Sequence, residues 1–364
     1  MDYRWSFDPK GQYVDGHERE DVVHYRNHVF LPTMAGLKER LTKWPSKDGP
    51  TVEPMTRRVV IWYHDESTFY ANDRRRKRWV HISETAKPYK KGEGASLMVA
   101  DFFSAEYGWL RSPDGKKSAR VLFRAGKARE GYFDNNNILD QVSVAMDIVQ
   151  ESYTDEEHIF VFDNAKTHTK RAEGSLSALK MPKGPSANFM VEVNDLTADG
   201  KKQYTPDGSL LKKKVPMSNG RFADGHEQEF YYPDDPNHPH ARQFKGVAVI
   251  LQERGYNITG KKLQCKSGKF SDCAPGRTDC CLRRMLYNEP DFVNIESILE
   301  TEVKVRGFSV ILLPKFHCEL NPIEQCWGYA KRNYRLLPPS SSEDALEKNV
   351  VKCLDDIPLT TMRR

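Results

Sequence analysis

The chain has 364 residues, 38% of them hydrophobic and 29% charged, which is room for one large domain or two ordinary ones with a sizeable core. Its 56 basic and 51 acidic residues leave a net charge of only +5, so any attraction to nucleic acid must come from local runs. No apolar run is long enough to span a bilayer and the polar opening MDYRWSFDPKGQ lacks the shape of a signal peptide, which sets membrane and secretory readings aside.

Residues 1–57 are expected to hold one helix, from about Asp21 to Trp44 and interrupted or restarted at Pro32, followed by the linker KWPSKDGPTVEP. No helix-turn-helix pattern is legible there. Val59, Val60, Ile61, Trp62 and Tyr63 then form an apolar run of strand length, typical of a strand buried on both faces, which stops at His64-Asp65-Glu66. A second strand is expected over RKRWVHIS after the turn ANDRRR, and a third over ASLMVADFF (95–103), together an antiparallel meander. Between residues 136 and 153, Ile138, Val142, Ala145, Val149 and Tyr153 recur at helical spacing.

Another buried strand, Ile159 to Phe162, ends at Asp163-Asn164, and FSVILLPKF (308–316) has the same character. LNPIEQCWGYAKRNY follows as a helix. SSSEDALEKNVVKCLDDI closes the chain as another, with Ser340 and Glu343 at capping-box spacing. Asp163 and Glu324 are 161 positions apart, whereas a strand-helix-strand crossover needs about 30 residues. A loop-rich insert must therefore intervene. Its one clear helix is FKGVAVILQERG (244–255), ended by Gly255. The fold class is accordingly α/β, a mixed sheet flanked by helices. The domains are expected at 1–57, at 58–174 with 301–364 as the core, and at 175–300 as the insert.

Three acids stand out by position: Asp65 and Asp163 after buried strands, and Glu324 at the head of a helix. Carboxylates gathered around one sheet supply the hard oxygen ligands that two Mg²⁺ ions need for an in-line phosphoryl displacement. Each acid also has a plainer reading. Asp65 and Asp163 are residues that favour turns, and Glu324 suits a capping box with Asn321 as N-cap and Pro322 at the first helical position. On the last-but-one helix, Ile323, Trp327, Ala330 and Tyr334 make a buried stripe. Glu324, Gly328, Lys331 and Arg335 make a polar one, whose bases suit backbone phosphates if it is not merely solvated.

HDES, strand-DNAKTH and LPKFHCELNPIEQCW together resemble the catalytic signatures of the mariner superfamily of DDE transposases. The match is nearest to a divergent fungal-type branch of DDE superfamily endonucleases, and it covers the chain from about residue 10 to 360. The resemblance implies an RNase H-like fold and places the acid triad at Asp65, Asp163 and Glu324. These residues would bind two Mg²⁺ or Mn²⁺ ions, cleave DNA and transfer the freed strand. It also implies DNA as partner, a nuclear location and a homodimer as one assembly. His168, in the D-N-A-x-x-H signature, would lie near the metals or touch DNA, unless it simply packs at the start of a helix. Two departures stand out: the spacing between second and third acids is far longer than in mariner elements, and the end-recognition module is absent from this chain. The alternative function is a catalytically inactive or domesticated derivative that only binds nucleic acid. A ribonuclease H would share the chemistry without the L-N-P-I-E signature.

The basic cluster Arg74, Arg75, Arg76 and Lys77 is read either as a phosphate grip or nuclear-localisation signal, or as a solvated turn. The seven cysteines are expected to be reduced thiols. Four of them, Cys265, Cys273, Cys280 and Cys281, are close enough in sequence for a structural Zn²⁺, but their spacings do not match the usual C-x₂₋₄-C pairs, and ordinary thiols are the favoured reading.

Overall fold

The apolar run beginning at Val59 does not stop at His64. In the computed structural model of the protein it continues as a 12-residue strand, β1 (Val59–Tyr70). The structure describes residues 16–44, 51–73, 91–198, 203–206, 210–265, 273 and 277–363. β1 pairs antiparallel with β2 (Ser96–Ser104) from Tyr63 to Tyr70, and β2 in turn carries the short strands β3 (Gly108–Trp109) and β4 (Val121–Phe123). On its other side β1 pairs in parallel with β5 (Glu157–Phe162), but only from Val59 to Tyr63. Asp65 thus lies within a strand rather than after one. The β2 ladder keeps the chain extended beyond the point where the β5 ladder ends. β2 bonds directly to β1. The stretch expected to form the second meander strand, RKRWVHIS, lies outside the described residues, as do Arg74, Arg75, Arg76 and Lys77.

Ahead of the sheet, the expected Asp21–Trp44 helix is helical but uneven: α1 (Glu20–Tyr25), a π-helical stretch at Arg26–Phe30, α2 (Leu31–Leu37) and a 3₁₀ turn at Lys38–Arg40. Pro32 sits in the first turn of α2, and the wider π turn before it makes room for a ring that would strain a regular helix. Phe30, Tyr25, Met34 and Leu37 cover Val59, Ile61, Ile159 and Val161 on one face of the sheet. The opposite face is covered by α3 (Asn135–Ser152), where Ile138, Val142, Ala145 and Val149 are buried as their spacing predicts. Asp134 and Asn137 close a capping box at its start.

The chain divides into two compact units. One comprises the described residues up to Thr169 and from Leu299 on, and the other is Lys170–Ile298. Among its described residues the second unit has two small antiparallel strand pairs, β6 (Val191–Asn194) with β7 (Lys212–Val215) and β8 (Gly220–Arg221) with β9 (Glu227–Gln228). Its helices α4 (Val247–Glu253), α5 (Leu282–Tyr287) and α6 (Pro290–Val293) share a core that includes Phe230, Phe244, Ile250, Leu282 and Phe292. α4 is shorter than its sequence predicts, because Phe244 bridges to Ser186 and Tyr231 as core instead of entering the helix. Gly246 then turns the chain at φ 88°, where a Cβ would stand 2.5 Å from the Gly184 backbone. The far end is as expected: Gly255 adopts φ 84°, and the Tyr256 amide donates back to the Leu251 carbonyl.

The first unit resumes with α7 (Ile298–Val305), whose Leu299 and Val303 join the α3 core, and with β10 (Ser309–Leu312), parallel to β5. β10 ends short of the expected Phe316, since Pro314 has no N–H to donate. α8 (Ile323–Tyr334) buries Ile323, Trp327, Ala330 and Tyr334 against Phe69, Leu97, Val99 and Phe103. They share that cluster with Leu346, Val350 and Leu354 of α9 (Glu343–Asp355), and α10 (Leu359–Met362) follows. The cap of α9 is Ser342, which accepts from the Ala345 amide. Ser340 is instead buried beside the Tyr334 hydroxyl and the Asn349 amide, so the expected Ser340–Glu343 box does not form.

The sheet order is β10-β5-β1-β2-β3, with β1, β2 and β3 antiparallel and β5 and β10 parallel to β1. With helices on both faces, this is an RNase H-like fold. Among the described residues no helix is long and apolar enough to cross a membrane.

Candidate active site

In the parallel ladder Tyr63 stands opposite Val161. Two residues further along each chain come Asp65 and Asp163. Asp65 is still within β1, on the face of Tyr63, and Asp163 is the first residue after β5. α8 packs over that face and brings Glu324 to the same place. The three carboxylates line one cleft of about 370 Å³ with Asn164, Lys315, Phe316, His317 and Asn321 among its other walls.

The head of α8 is built differently from the expected cap. Pro322 occupies the N-cap position and no side chain caps the helix. Asn321 instead donates from Nδ2 to the carbonyl of His64, at 3.0 Å. That bond fastens the helix start to the residue before Asp65, and it leaves the Glu324 carboxylate exposed rather than closed into a capping box.

Asp65 has a buried wall behind it. Trp327 Nε1 donates to its Oδ2 at 3.0 Å, and the indole stacks on Trp109 with ring centres 5.4 Å apart. The Arg120 guanidinium lies 5.2 Å from the Trp109 ring and donates to Asp101, the residue directly opposite Asp65 in the β1–β2 register. Burial first, and then the neighbouring Glu324 and Glu66, push the Asp65 carboxyl up to about 7.

Asp163 is held the other way. Burial opposes its charge, yet the hydrogen bond and charge of His168 and the Ala165 amide keep it below the usual carboxylate range. His168 is 1% exposed. Its Nδ1 is 2.6 Å from Asp163 and its Nε2 is 3.7 Å from Glu66. Burial disfavours the imidazolium, but these two carboxylates raise it to about 9. His168 is therefore buried against Asp163, in a turn rather than at a helix start. Its ring meets that of His64 edge-on, and His64 is driven to about 4 by complete burial and stays neutral beside Gln141.

The two bases of the polar stripe, Lys331 and Arg335, are not among the residues lining the cleft. Arg335 pairs with Asp73 at 2.9 Å, and the Lys331 ammonium lies 5.5 Å from the Phe69 ring, its pKa lowered chiefly by burial. They stand about 10 and 16 Å along the helix from Glu324 at 1.5 Å per residue. Lys315, which sequence reasoning passed over, is the cation in the cleft wall. Beside it Phe316 holds a left-handed φ of 68° and is exposed, a strained position of the kind that collects at working sites. The bond from Trp327 to Asp65 was also missed, since its helical spacing accounts for it as core.

No family model and no curated protein matches the chain. Solved structures of Mos1 mariner transposase do. The strand transfer complex is 16% identical over 46% of this chain and 42% of that one, with a TM-score of 0.29. The paired-end complex with the left transposon end is 17% identical over the same shares, at 0.30. The paired-end complex with Mn is 16% identical over 46% and 43%, also at 0.30. The chain thus spans less than half the length of the Mos1 chains it matches. By strand order and direction, the fold is RNase H-like.

Proposed function

We propose that this chain is a metal-dependent DNA endonuclease of the DDE-transposase kind, with Asp65, Asp163 and Glu324 as its catalytic acids. The carrying observation is their convergence on one cleft from a strand, the end of its neighbour and a helix. The donor set fits two Mg²⁺ or Mn²⁺ ions: three hard carboxylates, one of them crowded by burial and by like charge, which bound cations would relieve. Bound there, such ions would activate a water or 3′-hydroxyl and stabilise the leaving oxygen of a phosphodiester.

The chain's own residues prepare the site. Trp327 fixes one oxygen of Asp65, and His168 and the Ala165 amide fix Asp163. Asn321 sets the distance from β1 to the helix that carries Glu324. Lys315 offers a charge to a backbone phosphate. The same reading makes DNA the partner, strand transfer the second step, a homodimer the working assembly and the nucleus the place of action.

Nicking of a supercoiled plasmid with Mg²⁺ or Mn²⁺ is the test. The parent chain should nick, and Asp163→Asn and Glu324→Gln should lose at least 100-fold while keeping their fold. Nicking by the variants at the parent rate would sink the assignment. A folded parent chain that binds DNA without cutting it would turn the reading to a binding-only derivative.

A further inference from the structure

Cys265, Cys273, Cys280 and Cys281 come together in the second unit, with all four sulfurs within 4.8 Å of one another. Two short backbone contacts build the juxtaposition: the Leu282 amide donates to the Lys262 carbonyl and the Arg283 amide to the Leu263 carbonyl. They lay the chain before Cys265 alongside the chain around Cys281. Leu282, fully buried in the core of this unit, anchors one side of the cluster. Cys273 joins them, its sulfur 4.0 Å from that of Cys281.

We propose that these four thiols form a structural Zn²⁺ site. A tetrahedron with Zn–S bonds of about 2.3 Å separates its sulfurs by about 3.8 Å, so the cluster needs to contract by less than 1 Å or so to close on the ion. The sulfurs are too far apart for a disulfide, whose S–S bond is about 2.05 Å. Binding releases four thiol protons and leaves a tetrathiolate site of net charge −2. One basic group stands ready for that charge, because Arg284 hydrogen-bonds to Cys273. The need is physical as well. Among the described residues from Tyr256 to Cys281 there is no helix or strand, so a cross-link would add to the hold that Ile258 and Leu263 have on the core. The sequence spacings, unlike those of paired C-x₂₋₄-C motifs, hid the site because its ligands meet across a loop. This inference stands apart from the nuclease reading, which concerns other residues.

The test is elemental analysis of the full-length chain, expressed with zinc and purified without chelator. About one zinc per chain is expected. Asp163→Asn with Glu324→Gln should leave that content unchanged, and Cys265→Ser with Cys280→Ser should remove it. Should the cysteine variant fail to fold, the parent chain decides alone. Stripped under reducing conditions and titrated with Co²⁺, it should show the strong thiolate-to-cobalt absorption of a tetrahedral sulfur site at about one equivalent. Absence of both zinc and the cobalt bands overturns the proposal, as does iron in place of zinc or a thiol count short by pairs.

Discussion

Trp327 Nε1 donates to Asp65 Oδ2 across 3.0 Å, so a side-chain hydrogen bond ties the helix carrying Glu324 to the strand carrying Asp65. Trp327→Phe keeps most of the burial and a ring against Trp109 while removing the donor. Losing a hydrogen bond to a carboxylate should cost about 1–2 kcal/mol of stability. The larger effect should fall on function, a loss of roughly 10–100-fold in metal-dependent nicking, as for other residues that orient a ligand. Urea melts run beside nicking rates separate the two. Unchanged nicking would remove Trp327 from the site.

His168 makes stability depend on pH, with a definite sign. Its imidazole binds a proton more tightly folded, up to about 9, than at its ordinary value of 6.5, because Asp163 and Glu66 flank it. The contribution is fully present below about 6.5 and is lost as pH rises through about 9. In the presence of a chelator, unfolding free energy should fall by roughly 1–3 kcal/mol across that window. His168→Gln should flatten the slope. Denaturant titrations at stepped pH check it, and a rise in stability over the window would contradict it.

Arg120 and Asp101 form an ion pair with side chains 6% and 0% exposed, directly under the tryptophans that back Asp65. Removing Arg120 strands the Asp101 charge without water, whereas without Asp101 the guanidinium keeps Asp355. Arg120→Met should cost about 3–5 kcal/mol, whereas Asp101→Leu with Arg120→Met should recover most of that loss. Chemical denaturation of the two single variants and the double one measures the coupling. Equal losses in single and double variants would show that Arg120 acts through packing alone.

Much of this core is written locally. The run from Val59, the strand into Asp163 and the spacing of Ile138, Val142, Ala145 and Val149 each fix an element without reference to a partner. What the sequence hides is set by distant partners. HDEST is polar enough to end a strand, and only the ladder to β2 keeps it extended. Asn321, Pro322 and Glu324 carry every local sign of a capping box. The bond that overrides it reaches His64, 257 positions away. The four cysteines are likewise legible as a list but not as a cluster, since loop closure rather than spacing brings them together.

Lys315 should set how the cleft holds DNA. It is exposed in the cleft wall beside the acids, whereas Arg335 already pairs with Asp73 and Lys331 is half-buried over Phe69. A lysine that neutralises one phosphate contributes about one unit to the slope of log K against log salt. Lys315→Ala should therefore weaken duplex binding about equally across sequences and flatten that slope by about 1. Arg335→Ala should change it less, because its guanidinium has a carboxylate partner. Fluorescence anisotropy of a labelled duplex across a salt series measures both, in an Asp163→Asn background that prevents cutting. If Arg335→Ala flattens the slope and Lys315→Ala does not, DNA runs along α8 rather than across the rim built from Pro314 to His317.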